Sequence, residues 1–149
     1  ALLTEGHADG HLCFLEESSR AVFAGDLVAG GSTIVIDPPE GDLGRYLESL
    51  RRLLALPAGT LYPAHGFPIP DGPAKLEEYL AHRQARMDQI EAALQAGECT
   101  LADIVERVYS DTPALLHPVA ERSALASLIE LEKRGRVRAT GRGWEIRRV

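Results

Sequence analysis

Apolar positions along the chain fall into short extended runs first and helical stripes afterwards. Leu12–Glu17 and Ala21–Val28 flank Ser18-Ser19-Arg20, a pattern that predicts two strands joined as a hairpin. Gly30-Gly31-Ser32-Thr33 interrupts it, Ile34–Ile36 resumes an extended run, and Pro38-Pro39 enforces a rigid loop. Leu43, Tyr46, Leu47, Leu50, Leu53 and Leu54 then recur at helical spacing, predicting a helix over 43–56 with Asp42 as its N-cap and Pro57 beyond its end. Thr60–Pro63 reads as a short strand leading into Ala64-His65-Gly66.

A longer helix is predicted between Asp71, which can cap, and Gly97, which suits a left-handed C-terminal position. At 1.5 Å per residue its roughly 24 residues span about 36 Å, enough to connect two domains. Beyond it, Thr100 and Asp103 form a capping arrangement, and Pro113 and Pro118 interrupt a shorter element. Glu121–Arg134 reads as a third helix with Leu125, Leu128, Ile129 and Leu131 as its apolar set. Gly135–Ala139, a glycine-rich tip and Trp144–Ile146 complete the order of a winged helix, with Trp144 expected to pack the wing on the third helix. The division predicted is therefore 1–70, a connecting helix 71–97, and a winged-helix domain 98–149.

Composition narrows the function classes. The chain has 149 residues, 45% hydrophobic and 26% charged, with net charge −6, a balance that excludes a disordered or fibrous chain. No apolar run approaches the roughly 20 residues of a membrane-spanning helix, and no signal-type segment opens the chain. It starts without Met and close to a His-rich motif, as expected of a chain that begins inside a larger protein. Cys13 and Cys99 are too few for a disulfide framework; they are expected to pack as small buried hydrophobes in a cytoplasmic protein. The acidity argues against wholesale coating of nucleic acid, yet residues 133–149 hold 7 basic groups to 1 acidic.

The candidate chemistry lies beside glycines at strand ends: His7 and His11 in Gly6-His7-Ala8-Asp9-Gly10-His11, Asp26 after Gly25, and His65 in Ala64-His65-Gly66. Loops at strand ends let a scaffold aim imidazoles and carboxylates at a common ion. A carboxylate can also bridge two metals about 3.5–4 Å apart. Three alternatives fail. A helical His-x-x-x-His zinc site would need an acidic base where Ala8 stands, and Gly6 and Gly10 oppose a helix. Gly30-Gly31-Ser32-Thr33 lacks the Lys and spacing of a phosphate loop, and no Gly-x-Ser-x-Gly elbow occurs. His82 on the long helix reads as a packing or hydrogen-bonding residue, His117 as a loop residue, and Ser32 and Thr33 as ordinary loop positions.

Taken together, Thr4-Glu5-Gly6-His7-Ala8-Asp9-Gly10-His11, Phe23-Ala24-Gly25-Asp26 and Leu61-Tyr62-Pro63-Ala64-His65-Gly66 resemble the last three metal motifs of the metallo-β-lactamase superfamily, in order and in strand context. Gly31–Asp42, Tyr46–Leu50, Tyr79–Arg83 and the wing extend the resemblance over essentially the whole chain, towards the subgroup with a C-terminal winged helix that includes endoribonucleases. It implies an α+β fold: the second half of an αββα sandwich followed by a small winged-helix domain.

By that pattern His7 would be a ligand of one metal, Asp26 the bridging carboxylate and catalytic group, His65 a ligand of the second metal, and His11 a supporting neighbour rather than a ligand. Glu5 stands where the family commonly has Pro, and Ala8 where it has Thr or Ser. The signature His-x-His-x-Asp-His, which supplies the other ligands, is nowhere in these residues. The resemblance implies a dinuclear zinc (Zn2+) hydrolase using a metal-bound hydroxide on a thioester or other acyl ester when full length, and an inactive half-site in this chain alone. Its expected partners are a small-molecule ester or thioester, and the missing N-terminal half or a second copy.

Two other readings stand beside this one. An endoribonuclease would use Arg136, Arg138 and Arg142 on the wing to hold single-stranded RNA. A winged-helix binding module would act without catalysis, although Glu121, Glu130 and Glu132 on its third helix disfavour phosphate contact.

Overall fold

The computed structural model describes residues 1–147. They form two compact units, Ala1–His82 and a second that begins at Arg83, and the division falls inside the long helix.

The first unit is built on a four-stranded sheet of β1 (Leu2–Leu3), β2 (Leu12–Leu15), β3 (Val22–Gly25) and β4 (Leu61–Pro63), in that spatial order. The hairpin expected around Ser18-Ser19-Arg20 is present: β2 and β3 run antiparallel with Phe14 opposite Phe23, and Arg20 takes a left-handed φ of 63°. β4 instead runs parallel to β3, with Val22 opposite Leu61 and Phe23 opposite Tyr62. A parallel pair needs a crossover, and the chain makes it through helix α1 (Leu43–Leu54).

Asp42 caps α1 as its sequence implies, its Oδ1 accepting from the Arg45 N–H at 3.0 Å. The buried stripe of α1 comprises Leu43, Tyr46, Leu47, Ser49, Leu50 and Leu53. The wholly buried Tyr46 sends its hydroxyl to the Leu27 carbonyl at 2.8 Å, which ties the helix to the turn after β3.

Ile34–Ile36 departs from expectation. Ile34 and Ile36 are buried, but the segment joins no strand. Apolar content brings it into the core, while the Val35 carbonyl accepts from a side chain, His7, rather than from a neighbouring strand.

Helix α2 spans Gly72–Ala96. Asp71 Oδ1 accepts from the Ala74 N–H at 3.0 Å at its start. At its end Gly97, at φ 111°, lets the Glu98 N–H turn back to the Ala93 carbonyl at 3.2 Å.

In the second unit α3 (Leu101–Val108) opens on the complete Thr100/Asp103 capping box. A single 3₁₀ turn, Ala114–Leu116, leads directly into α4 (His117–Lys133). The third helix thus begins four residues before the predicted Glu121, with Pro118 in its first turn. Proline is at home there, because that N–H has no intrahelical partner to lose. His117 accordingly opens the helix instead of lying in a loop, and its Nε2 meets the Thr112 carbonyl at 3.2 Å.

The face that α4 buries is also richer in small residues than the leucine count suggested. Ala120, Ala124, Ala126, Ser127, Leu128 and Leu131 are buried, while Leu125 and Ile129 are only partly so. The hairpin of β5 (Val137–Thr140) and β6 (Gly143–Ile146) completes the wing. Trp144 lies half-buried on β6 opposite Ala139, and its backbone N–H donates to the Cys99 carbonyl at 2.8 Å. Cys13 is wholly buried as expected, whereas Cys99 is partly exposed. Among the described residues no helix is long and apolar enough to cross a membrane.

Candidate functional site

The C-terminal ends of the parallel neighbours β3 and β4 place Asp26 and His65 side by side. Asp26 follows Gly25, the last residue of β3, after a register irregularity between Phe23 and Gly25. His65 follows β4 by two residues. The Ala64 N–H donates to the Gly25 carbonyl at 2.9 Å, and the Gly30 N–H donates to the His65 carbonyl at 3.0 Å, so the two loops are laced together. His65 Nε2 lies 3.5 Å from Asp26 Oδ1, with side-chain exposures of 77% and 34%. The pair is open to solvent on the imidazole side.

His11 approaches Asp26 differently from His65. Its Nε2 accepts the Asp26 backbone N–H at 3.0 Å, which places the ring proton on Nδ1, 2.9 Å from Thr4 Oγ1. The Thr4 hydroxyl is itself within 3.3 Å of Cys13 Sγ, and Cys13 Sγ donates to the Ala24 carbonyl at 3.4 Å. Burial, and secondarily the charge of His7, push the His11 imidazole below its ordinary value; a hydrogen bond to the Thr4 backbone and the Asp26 carboxylate pull the other way. With both ring nitrogens engaged inside the protein, His11 fixes the backbone beneath Asp26. Gly25 makes room for this. It sits at φ 52°, and a Cβ there would lie 2.6 Å from His11 Nε2.

His7 is held by a third set of contacts. Its Nδ1 lies 3.0 Å from the Val35 carbonyl, which can only accept, so Nδ1 carries the proton and Nε2 keeps a lone pair. The loop bearing it presses on α1: a Cβ on Gly6 would come within 2.2 Å of the Tyr46 backbone nitrogen. The Gly6 carbonyl accepts from the Asp42 N–H at 2.8 Å, and the Glu5 carbonyl accepts from Ser49 Oγ at 2.8 Å. Arg45 adds charge-assisted ties to Glu5 and to Asp9. Glu5 Oε1 also accepts the Gly10 N–H at 3.2 Å, closing the loop on itself.

The anchoring roles of Arg45 and Tyr79 are not legible in the sequence, although Tyr79 lies in a segment that carries the resemblance. Tyr79, on α2, donates its hydroxyl to the Ser32 carbonyl at 2.6 Å and accepts from the Ala29 N–H at 3.1 Å, pinning the segment that follows Asp26. Glu5 and Arg45 are 40 residues apart and share no motif, so only the fold reveals their pairing.

Among the described residues, no three His, Cys, Asp or Glu side chains converge on one point that could hold a metal ion. The described donors therefore do not enclose a metal by themselves. His65 and Asp26 meet, while His7 presents a free Nε2 without joining them in a closed set.

On the wing, Arg136 Nη2 donates to the buried Glu91 at 3.0 Å and Arg138 pairs with Glu145. Arg142, at the hairpin tip, is exposed.

Comparison with known proteins matches two families. Residues 1–65 match the metallo-beta-lactamase superfamily, and residues 100–144 match the beta-lactamase associated winged helix domain. The lactamase-like protein adaB of Aspergillus niger is 39% identical over 127 residues, covering 76% of this chain and 39% of that protein. The lactamase-like protein nscB of Trichophyton rubrum is 39% identical over 145 residues, covering 88% of this chain and 43% of that protein.

A crystal structure of a metallo-beta-lactamase family protein from Thermus thermophilus superposes with TM-score 0.83 at 29% identity, over 98% of this chain and 48% of that one. A beta-lactamase domain protein from Burkholderia ambifaria shares the fold, with TM-score 0.84 at 23% identity over 95% of this chain and 45% of that one. The chain thus spans less than half the length of each of these relatives.

Proposed function

The chain belongs to the metallo-β-lactamase superfamily and carries its associated winged-helix domain, and on that premise we propose that it contributes His7, Asp26 and His65 to the centre of a zinc-dependent hydrolase acting on a thioester or other acyl ester. The observation that carries this reading is the contrast among the three histidines. The Val35 carbonyl holds the proton of His7 on Nδ1 and leaves Nε2 available, the orientation a ligating imidazole receives from a supporting carbonyl. His65 places Nε2 beside the Asp26 carboxylate. His11 spends both nitrogens on the scaffold.

Imidazole nitrogen with carboxylate oxygen is donor chemistry that suits zinc, which takes four ligands in closed sites and three protein ligands in open catalytic ones. Because the donors here do not close around an ion, the remaining ligands come from outside these 149 residues on this reading.

The ester is preferred to RNA because Arg136 and Arg138 are already paired with Glu91 and Glu145. Those carboxylates offset part of the charge a phosphate would need, leaving Arg142 as the one of the three without a carboxylate neighbour among the described contacts. The test is hydrolysis by this chain combined with a polypeptide bearing a His-x-His-x-Asp-His segment. An acyl thioester should be cleaved and single-stranded RNA left intact, with cleavage lost in Asp26→Ala. Cleavage of RNA without cleavage of the thioester overturns the choice of substrate.

A further inference from the structure

Two carboxylates flank His7 symmetrically in the chain, Glu5 two residues before it and Asp9 two residues after, and one guanidinium holds both. Arg45 donates through Nη1 to Asp9 Oδ1 at 3.0 Å and through Nη2 to Glu5 Oε2. The other oxygen of Glu5 accepts the Gly10 N–H at 3.2 Å, so the contacts close a ring around the loop. The two limbs of that loop differ in what else secures them. Before His7, the Gly6 carbonyl accepts from the Asp42 N–H, the Glu5 carbonyl accepts from Ser49 Oγ, and Gly6 lies against Tyr46. After His7, among the described contacts, residues 8–10 are tied to the rest of the fold by Arg45 and Glu5 alone. Open space surrounds the position a Cβ would take on Gly10.

Arg45 occupies a place that its own helix does not favour. It is the third residue of α1, in a first turn without acidic residues, where the positive end of the helix dipole lies. Glutamate is the residue that suits this position after a capping side chain. An arginine there sets its charge against the dipole, and Glu5 and Asp9, 40 and 36 residues away, balance it instead. A residue that breaks a local preference to meet two distant carboxylates has its role outside the helix.

We propose that Arg45 is a positioning residue for His7. It clasps Glu5 and Asp9 so that the limb after His7 cannot swing, and the ring stays on the Val35 carbonyl with Nε2 open. This role rests on the reading of His7 as a metal ligand and adds to it a residue that touches no metal. Groups that orient a ligating imidazole commonly set metal affinity by about 10–100-fold. Exposed ion pairs contribute little to overall stability, so the clasp acts on the loop rather than on the fold.

Zinc binding by the whole chain, measured by competition with a chelating dye, tests it in wild type, Arg45→Met, Arg45→Lys and His7→Ala. The sign of the change decides. Removing a cation from the loop of a cation site should by charge alone tighten zinc binding, whereas lost positioning should weaken it. Arg45→Met is expected to raise the zinc Kd about tenfold, and Arg45→Lys, which meets one carboxylate at a time, about threefold. Backbone order parameters at Ala8, Asp9 and Gly10 should fall below about 0.6 in Arg45→Met, with Gly6 staying near about 0.85. Helix α1 should persist, because the substitution relieves its first turn of a cation. Unchanged or tighter zinc binding in Arg45→Met, where His7→Ala weakens it, overturns the clasp and leaves His7 a ligand. So does a backbone that stays ordered over residues 8–10 in Arg45→Met. Zinc binding indifferent to His7→Ala overturns the reading of His7 as a ligand, and the positioning role with it.

Discussion

The backbone N–H of Asp26 donates to Nε2 of His11 at 3.0 Å, although the two residues lie 15 apart in sequence and on different loops. That bond begins a run from Asp26 through His11 and Thr4 to Cys13, ending on the Ala24 carbonyl one residue before Gly25. The carboxylate is consequently carried on backbone whose polar groups are satisfied from beneath, and its side chain is free to face His65.

Gly25→Ala should remove this support. Its backbone is left-handed, at φ 52°, and a Cβ would stand 2.6 Å from His11 Nε2, forcing the ring away from the Asp26 N–H. Left-handed strain of about 1–2 kcal/mol and a part-buried hydrogen bond of about 1–3 kcal/mol predict a loss of roughly 2–5 kcal/mol in urea unfolding. Gly10→Ala is the control, since Gly10 has φ 71° and open space around it, so it should cost only the strain. Equal losses for the two variants would show that His11 does not depend on the space at Gly25.

Tyr79→Phe should destabilise the chain by about 1–3 kcal/mol, because the Ala29 N–H is buried and loses its acceptor while the Ser32 carbonyl loses its donor. The measurement is chemical unfolding, with hydrogen exchange at Ala29 as the local probe. Exchange there should accelerate; unchanged protection would mean that another group satisfies the amide.

The charge of Arg86 beside Asp111 holds that carboxyl below its ordinary range. A carboxylate with a depressed folded value binds fewer protons than in the unfolded chain. Its stabilisation is therefore present above the ordinary value of 3.8 and is lost as pH falls through the folded one. Because Asp111 is 69% exposed, the effect is small. Arg86→Gln should shallow the fall of stability between pH 4 and pH 2; an identical slope in both proteins would dismiss the pair as a stabilising contact.

The two thiols should separate under alkylation. Cys13 is wholly buried and burial pushes its thiol upward, whereas Cys99 is partly exposed. Iodoacetamide at pH 8 should modify Cys99 in the folded chain and reach Cys13 only with unfolding, as peptide mass analysis would show. Early modification of Cys13 would contradict the packing beneath the His11 loop.

Local signals account for most of what the sequence made legible. Asp42, Asp71 and the Thr100/Asp103 box each act within a single helical turn, and all three cap as read. The Ser18-Ser19-Arg20 hairpin is likewise a short-range feature. Pro118 misled because proline is tolerated in a first turn as readily as it breaks an interior one.

The candidate site divides in the same way. Its histidines and Asp26 are conspicuous beside glycines, but their roles depend on partners far away in the chain. His7 relies on the Val35 carbonyl 28 residues on, and Glu5 relies on Arg45. The pairing of wing arginines with Glu91 and Glu145 was equally hidden, since a count of charges does not say which are spent on one another.

Zinc titration of the 149-residue chain, followed by competition with a chelating dye, tests most directly whether His7, Asp26 and His65 belong to a metal site completed from elsewhere. The chain alone should bind zinc weakly and hydrolyse neither ester nor phosphodiester. Asp26→Ala should abolish what binding there is, and His11→Ala should weaken it by no more than about 10–100-fold. Two tightly held zinc ions per chain with rapid turnover, or binding indifferent to Asp26→Ala, would contradict it.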